Sequence, residues 1–302
     1  MHILSIADLS STDINNIFKI TDRLKGSKGK AYLGNTVLTL LFEKASTRTR
    51  LSFESAMMHL GGQSVYMDAS TTHLSRGESI SDTAKVLGLY SDIIAARLYS
   101  QADLAEIAKN AGVPVINALT DLEHPCQALS DLYTMRSRLG SLKGKKFAFI
   151  GDITANTSNS LLLACTKLGM EVALVGPKNY EPLRKYLGLA KKSGKADVYS
   201  SIEDGLKDSD VVYTDTFVSM GEEASAKKRK KELAPYQLNS KALGHAKPRA
   251  LVMHCLPAHR GEEITAGVID GPNSVVWEQA AKKMHVEKAI ILYALGRGKE
   301  FL

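Results

Sequence analysis

The chain has 302 residues, 44% of them hydrophobic and 24% charged, with a formal net charge of +7. That length suits two domains with cores of their own, and the composition excludes a disordered, collagen-like or disulfide-stapled protein. No uninterrupted apolar run reaches membrane-spanning length, and the first eight residues lack the basic and apolar regions of a secretory signal, so neither a membrane span nor export is expected.

The basic balance raises the question of a nucleic-acid partner. The densest run is Lys227-Lys228-Arg229-Lys230-Lys231, but Glu222, Glu223 and Glu232 flank it and no aromatic residue interleaves for base stacking. A solvated helix face is expected there, with no nucleic-acid partner, and the overall positive field suits anionic metabolites. Cys126, Cys165 and Cys255 form no C-x-x-C pair, and any disulfide would leave one over. Reduced thiols in a cytoplasmic protein are expected.

Taken in order, Ser11, Thr12 and Asp13 offer N-caps for a helix with Ile14, Ile17, Phe18, Thr21 and Leu24 on one face, ended by Gly26 and Gly29. A strand follows over 36–42 and a helix over 48–60, broken by Gly61-Gly62. Next come a strand over 63–67, a polar loop over 69–79, a helix over 81–90, a strand over 92–98, a helix over 101–111 and a strand over 113–118. This alternation implies a parallel α/β domain. A helix over 127–139 leads to a junction, Gly140-Ser141-Leu142-Lys143-Gly144. Beyond it the pattern resumes: strand 146–150, helix 158–168, strand 172–175, helix 180–192, strands 210–214 and 250–255, and a last helix over about 278–295.

Polar clusters fall at the ends of these strands, where ligands bind in α/β sheets. Ser46-Thr47-Arg48-Thr49 sits between the end of a strand and the start of a helix. There unpaired N–H groups, the helix dipole, two hydroxyls and a guanidinium fork can hold phosphate or carboxylate. The bland alternative is an N-capped surface helix with solvated arginines. Arg97 ends another strand, and His124-Pro125-Cys126-Gln127 opens a helix. Gly151-Asp152 is followed by Asn156 and Asn159-Ser160 with no G-x-G-x-x-G, which makes a dinucleotide site a weak reading. Asp215-Thr216, in the run to Ser219-Met220-Gly221, pairs a carboxylate with a hydroxyl suited to an α-ammonium group, although an ordinary Asp-capped loop would look the same. His254-Cys255-Leu256-Pro257-Ala258 ends a further strand.

Ser46-Thr47-Arg48-Thr49-Arg50 followed by Ser52-Phe53-Glu54 resembles the carbamoyl-phosphate signature of the aspartate/ornithine carbamoyltransferase family, and the resemblance covers nearly the whole chain. It implies two parallel-sheet α/β domains: a carbamoyl-phosphate domain over 1–138, onto which a C-terminal helix over 284–302 packs back, and an ornithine-binding domain over 139–283. It implies that Ser46, Thr47, Arg48, Thr49, His73, Arg97, His124, Pro125, Gln127, Cys255, Leu256 and Lys283 serve carbamoyl phosphate, with Arg97, His124 and Cys255 catalytic. Asn156, Asp215, Ser219 and Met220 would hold ornithine. A cis Leu256–Pro257 bond is implied too, as is a loop carrying His73 that reaches a neighbouring subunit's site in a homotrimer or a multiple of trimers.

Two places favour an ornithine-type over an aspartate-type member: Ser219-Met220-Gly221, and Ala258 where the aspartate type has Arg. The expected partners are therefore carbamoyl phosphate and L-ornithine, with citrulline and phosphate as products and a place in arginine metabolism. No metal or cofactor is expected. An acceptor such as putrescine is the near alternative, opposed by Asp215. A silent binding paralogue is the remote one, opposed by the intact Ser46–Thr49, Arg97, His124 and Gln127 set. One departure stands out: Gln279-Ala280-Ala281-Lys282-Lys283-Met284-His285 occupies the place of the family's Gln-Ala-Glu-Asn-Arg-x-His, so Lys283 keeps a charge and loses a fork.

Overall fold

The computed structural model describes residues 1–24, 31–218 and 223–302, which form two compact units, Met1–Ser130 with Lys282–Leu302, and Asp131–Ala281. Among the described residues, no helix is long and apolar enough to cross a membrane.

The first unit opens with α1 (Ser11–Arg23). Its cap is Ser10, one residue before the expected set, because Ser10 Oγ accepts the Asp13 N–H at 3.1 Å while the Asp13 carboxylate accepts the Ser10 N–H at 2.8 Å. That reciprocal pair satisfies two orphan donors at once. Gly26 and Gly29 lie outside the described residues. The chain continues through β1 (Val37–Phe42), α2 (Thr47–His59), β2 (Gln63–Asp68), α3 (Ile80–Tyr90), β3 (Ile93–Arg97), α4 (Gln101–Asn110), β4 (Val115–Leu119) and α5 (Pro125–Leu139). The strands form a parallel sheet in the order β2-β1-β3-β4. Leu41, Ile94 and Ala96 of the sheet pack with Leu87, Leu104 and Ile107 of the helices.

The 69–79 stretch, expected as a plain loop, holds two 3₁₀ turns, Ala69–Thr71 and His73–Arg76. Their caps are Asp68 and Thr72, whose side chains accept the N–H groups of Ser70 and Leu74. Short Asx and Ser/Thr turns of this kind carry no hydrophobic period.

In the second unit, β5 (Lys146–Ile150), α6 (Asn156–Lys167), β6 (Glu171–Val175), α7 (Arg184–Ser193), β7 (Ala196–Tyr199), α8 (Ile202–Leu206), β8 (Val211–Tyr213), α9 (Ala226–Leu233), α10 (Ser240–Leu243), β9 (Leu251–Met253) and α11 (Ala266–Ile269) lead to α12 (Val276–Ala294). The sheet order is β7-β6-β5-β8-β9, all parallel. α7 starts later than expected, after Pro182, which holds the residue before it out of helix. β7 and α8 escape the sequence pattern. The strand is four residues long with Asp197 inside it. The helix contains Gly205, where an added Cβ would lie 2.4 Å from Val175 Cγ2. The basic run forms α9, as expected, but its face is not simply solvated. Arg229 pairs with the buried Asp152 and donates to the Phe217 carbonyl oxygen at 3.1 Å, and Lys230 pairs with Glu262 at 2.7 Å.

α3 and α4 lie close together where Gly88 faces the end of α4: an added Cβ would lie 1.7 Å from the Ala111 carbonyl oxygen. Gly88→Ala should therefore destabilise the first unit by about 2–3 kcal/mol, at the upper end of overpacking costs. A drop in the urea midpoint with an unchanged m-value is the expected result.

Candidate active site

In the first unit the strand order reverses between β1 and β3, and a reversal leaves room for ligands outside the carboxyl ends of the strands. Phe42 is in register with Arg97, so the two chain exits lie side by side. They are tied by the Glu43 N–H donating to the Arg97 carbonyl at 2.9 Å and by the Tyr99 N–H donating to the Glu43 carboxylate at 2.5 Å. Ser46 is the N-cap of α2, its hydroxyl accepting the Thr49 N–H at 3.3 Å. Thr47 is the first helical residue rather than a cap. Thr47 and Arg48 are exposed at this helix start, and Thr49 is buried.

His124 precedes α5, Pro125 is its first residue and Gln127 lies in its first turn. Both His124 and Gln127 are buried. Lys283, on α12, is 6% exposed, and its ammonium donates to Gln127 Oε1 at 2.8 Å. Burial, and then the nearby cations Lys283 and Arg97, hold the His124 imidazole well below its ordinary pKa, so it is neutral at pH 7. The structure thus brings Arg97, His124, Gln127 and Lys283 together. His73 sits exposed in its 3₁₀ turn.

In the second unit the order reverses between β5 and β8. Asn156 is the first residue of α6 beyond β5, a helix start rather than a turn. Asp215 follows β8 and is 7% exposed. One of its oxygens, Oδ1, accepts the Thr216 N–H at 2.8 Å and the Cys255 thiol at 3.0 Å. The expected Ser219 and Met220 lie outside the described residues. Cys255 lies past the end of β9 and is half-buried. Leu256 has φ of 60°, a left-handed conformation costly for a branched side chain, and the Leu256–Pro257 bond is cis.

Glu263, absent from the sequence expectation, and Gln279, noted there only within a motif, brace this loop. Glu263, fully buried, faces His254 Nε2 at 3.2 Å and accepts the His259 N–H at 2.5 Å, while His254 Nδ1 accepts the Leu256 N–H at 2.9 Å. Those contacts assign the His254 hydrogen to Nε2. Burial pushes the Glu263 pKa up, but the hydrogen bonds from His254 and His259 outweigh it and leave the carboxyl below its ordinary value. Gln279 accepts the His254 N–H at 3.1 Å and donates to Asp131 at 2.7 Å, and Asp131 also takes the Tyr213 hydroxyl at 2.9 Å. Asp215, His254 and Cys255 offer metal-ligand atoms within 4.8 Å of one another, yet these hydrogen bonds already engage all three.

Each unit thus presents polar side chains where parallel strands end and their order reverses, the arrangement of a small-molecule α/β enzyme. The chain belongs to the aspartate/ornithine carbamoyltransferase family. Residues 1–137 match its carbamoyl-P binding domain and residues 143–294 its Asp/Orn binding domain. The chain is 44% identical to the anabolic ornithine carbamoyltransferase of Pyrococcus furiosus, over 97% of this chain and 96% of that one. It is also 44% identical to the ornithine carbamoyltransferase of Bacillus subtilis, over 98% and 94%. Among solved structures, the Pyrococcus furiosus ornithine carbamoyltransferase superposes with a TM-score of 0.93, covering 98% of this chain and 97% of that one. The Thermus thermophilus ornithine carbamoyltransferase does so at 0.90 with 34% identity, covering 97% and 98%.

Replacing Glu263 with leucine strands the His254 ring N–H and the His259 N–H without their acceptor. Glu263→Leu should cost about 1–3 kcal/mol of stability, seen as a lower melting temperature; an unchanged one would show that the brace is dispensable.

Proposed function

We propose that this protein transfers the carbamoyl group of carbamoyl phosphate to the δ-amine of L-ornithine, giving L-citrulline and phosphate, a reaction of arginine metabolism. The observation that carries this reading is the cationic set on the first unit, Arg97 and Lys283 around a neutral His124 with Gln127, beside the α2 helix start at Ser46–Thr49. A dianionic phosphate needs charge-assisted donors, which Arg48, Thr47, Thr49 and Arg97 supply. The carbamoyl group needs neutral partners, and His124, with Pro125 and Gln127 beside it, supplies those.

The neutral δ-amine attacks the carbonyl carbon, the C–O bond to phosphate breaks, and the new amide nitrogen loses its proton. As charge builds on the carbonyl oxygen, the imidazole N–H of His124 is a donor that strengthens in the transition state. A free alkyl amine has a pKa of about 10.4, so the bound amine must shed a proton before attack. On the second unit, Asp215 accepts the ornithine α-ammonium, with Asn156, Ser219 and Met220 as its companions, while Cys255 and Leu256 lie beside the amine and the carbamoyl group. The three cysteines are thiols outside any disulfide, two of them buried, which supports a reducing, cytoplasmic compartment.

The deciding experiment is a citrulline assay with carbamoyl phosphate and a panel of acceptors. Ornithine should give the highest kcat/KM and aspartate no turnover. A higher kcat/KM with putrescine would overturn the assignment.

We infer further that the protein works as a homotrimer, or a multiple of trimers, with His73 completing a neighbour's site. Leu51 and Met58 on α2 and Leu89 and Tyr90 on α3 are exposed, which suits a self-association face. Arg48→Ala and His73→Ala chains should each be inactive alone and regain activity when mixed, since some sites in the hybrids combine two intact contributions. A fully active monomer, seen by light scattering with a parallel assay, would refute the sharing.

A further inference from the structure

Glu287 is a buried charge in the first unit for which the proposed reaction has no use. It is fully buried on α12, four residues after Lys283 and therefore on the same face of the helix. Apart from the Ser52 hydroxyl on α2, its carboxylate oxygens have no hydrogen-bond partner among the described residues. The titratable and charged groups that face it are Lys283 on its own helix and the buried Cys126 on α5. From α2 it meets the uncharged Ser52, whose hydroxyl donates to the Thr49 carbonyl at 3.2 Å. A carboxylate in this position confronts the same ammonium that reaches Gln127.

We propose that Glu287 is the titratable counter-charge of Lys283, so that carbamoyl-phosphate affinity is set by whether Glu287 carries a proton. The inference rests on the carbamoyl-phosphate set proposed above. Ionised, Glu287 cancels the Lys283 charge where the ligand's anion needs it. Protonated, it leaves the Lys283 charge whole. Burial pushes the Glu287 pKa up to about 7, against the opposing influence of Lys283 and Ser52, so both forms are populated near neutral pH. Ionised Glu287 in turn adds to the burial that raises the Cys126 pKa, which keeps that thiol protonated and outside the exchange.

The sign follows from linkage. An arriving anion raises the pKa of a neighbouring carboxyl, so binding favours protonated Glu287 and takes up a proton. Affinity is then greatest below the free-state pKa and falls as pH rises from there towards the bound-state value. A ligand that raises the Glu287 pKa by one unit binds about tenfold more weakly well above both values than well below them.

Calorimetry with a non-hydrolysable phosphonate analogue of carbamoyl phosphate, in buffers of different ionisation enthalpy at pH 7.5, measures the proton uptake. Uptake by the unaltered protein should exceed that of Glu287→Gln by about half a proton. Between pH 6 and 9 the Kd of the unaltered protein should rise roughly three- to tenfold more than that of the variant, because the analogue's own titration is common to both. Glu287→Gln should also bind at least as tightly as the unaltered protein at pH 8.5. Equal uptake and equal pH slopes in the two proteins would overturn the proposal. So would a variant that binds more weakly at every pH, since that result makes Glu287 a structural prop for Lys283. If Glu287→Gln does not fold, the unaltered protein decides alone: absence of proton uptake at pH 7.5 in excess of the analogue's own refutes the coupling. Failure of the analogue to bind the unaltered protein at all would instead refute the carbamoyl-phosphate assignment.

Discussion

A parallel sheet delivers every strand's carboxyl end to one edge, and where strand order reverses, the flanking connections run to opposite faces and part at that edge. The first unit depends on this constraint. β1 and β3 are neighbours, Phe42 stands opposite Arg97, and their exits separate into the α2 helix start on one side and the Tyr99 turn on the other. The proposed anion site needs no special loop. It is what remains when a serine caps a helix, a guanidinium ends a neighbouring strand, and the Glu43 N–H and carboxylate hold the two together. The second unit repeats the device with β5 and β8, but ends its strands in a carboxylate and a thiol instead of cations.

Burial then decides what those groups do. His124 cannot be charged in a dry site beside two cations, and that makes it a neutral donor suited to a carbonyl oxygen. Asp215 already takes a backbone N–H and the Cys255 thiol on one oxygen, so it is oriented before any ammonium arrives. Behind the Leu256 backbone, held in a conformation that branched residues avoid, Glu263 and Gln279 fix His254 from two directions. Such preorganisation places the energetic cost in folding and leaves little rearrangement to the binding step.

The central strands were legible as short continuous apolar runs, buried on both faces, the long helices because their apolar residues recur near every fourth position, and the motifs because they stand at strand ends. What escaped has physical reasons. β7 is too short and too polar to show alternation, and α8 needs a glycine against Val175 that reads as a helix breaker. The Ser10 cap was hidden in the polar run Ser10-Ser11-Thr12-Asp13, any member of which could begin a helix. Arg229 was indistinguishable from its lysine neighbours until Asp152 stood opposite it. Glu263 and Glu287 lie in stretches that look like solvated surface, Gly261-Glu262-Glu263 and Val286-Glu287-Lys288, and only the fold shows that both are fully buried. Periodicity reports which face of an element is apolar; it does not report a charge that sits on that face by design.

Lys283, standing where the family resemblance implies a guanidinium fork, connects these points. A planar fork would present fixed donors to Gln127 and phosphate together, and its charge would resist any neighbour. A lysine reaches Gln127 with one of its three hydrogens, and its compact charge responds to whatever carboxylate lies beside it. One helical turn on, Glu287 is that carboxylate, buried, with only the Ser52 hydroxyl as a hydrogen-bonding neighbour among the described residues. An isolated buried glutamate of this kind is a liability unless it can be neutral for part of the time, and burial provides for that. The same helix face thus carries both the cation proposed to hold the ligand and the group proposed to cancel it. The two act through a separation set by helical geometry, so the balance between them changes with protonation and without movement of the backbone.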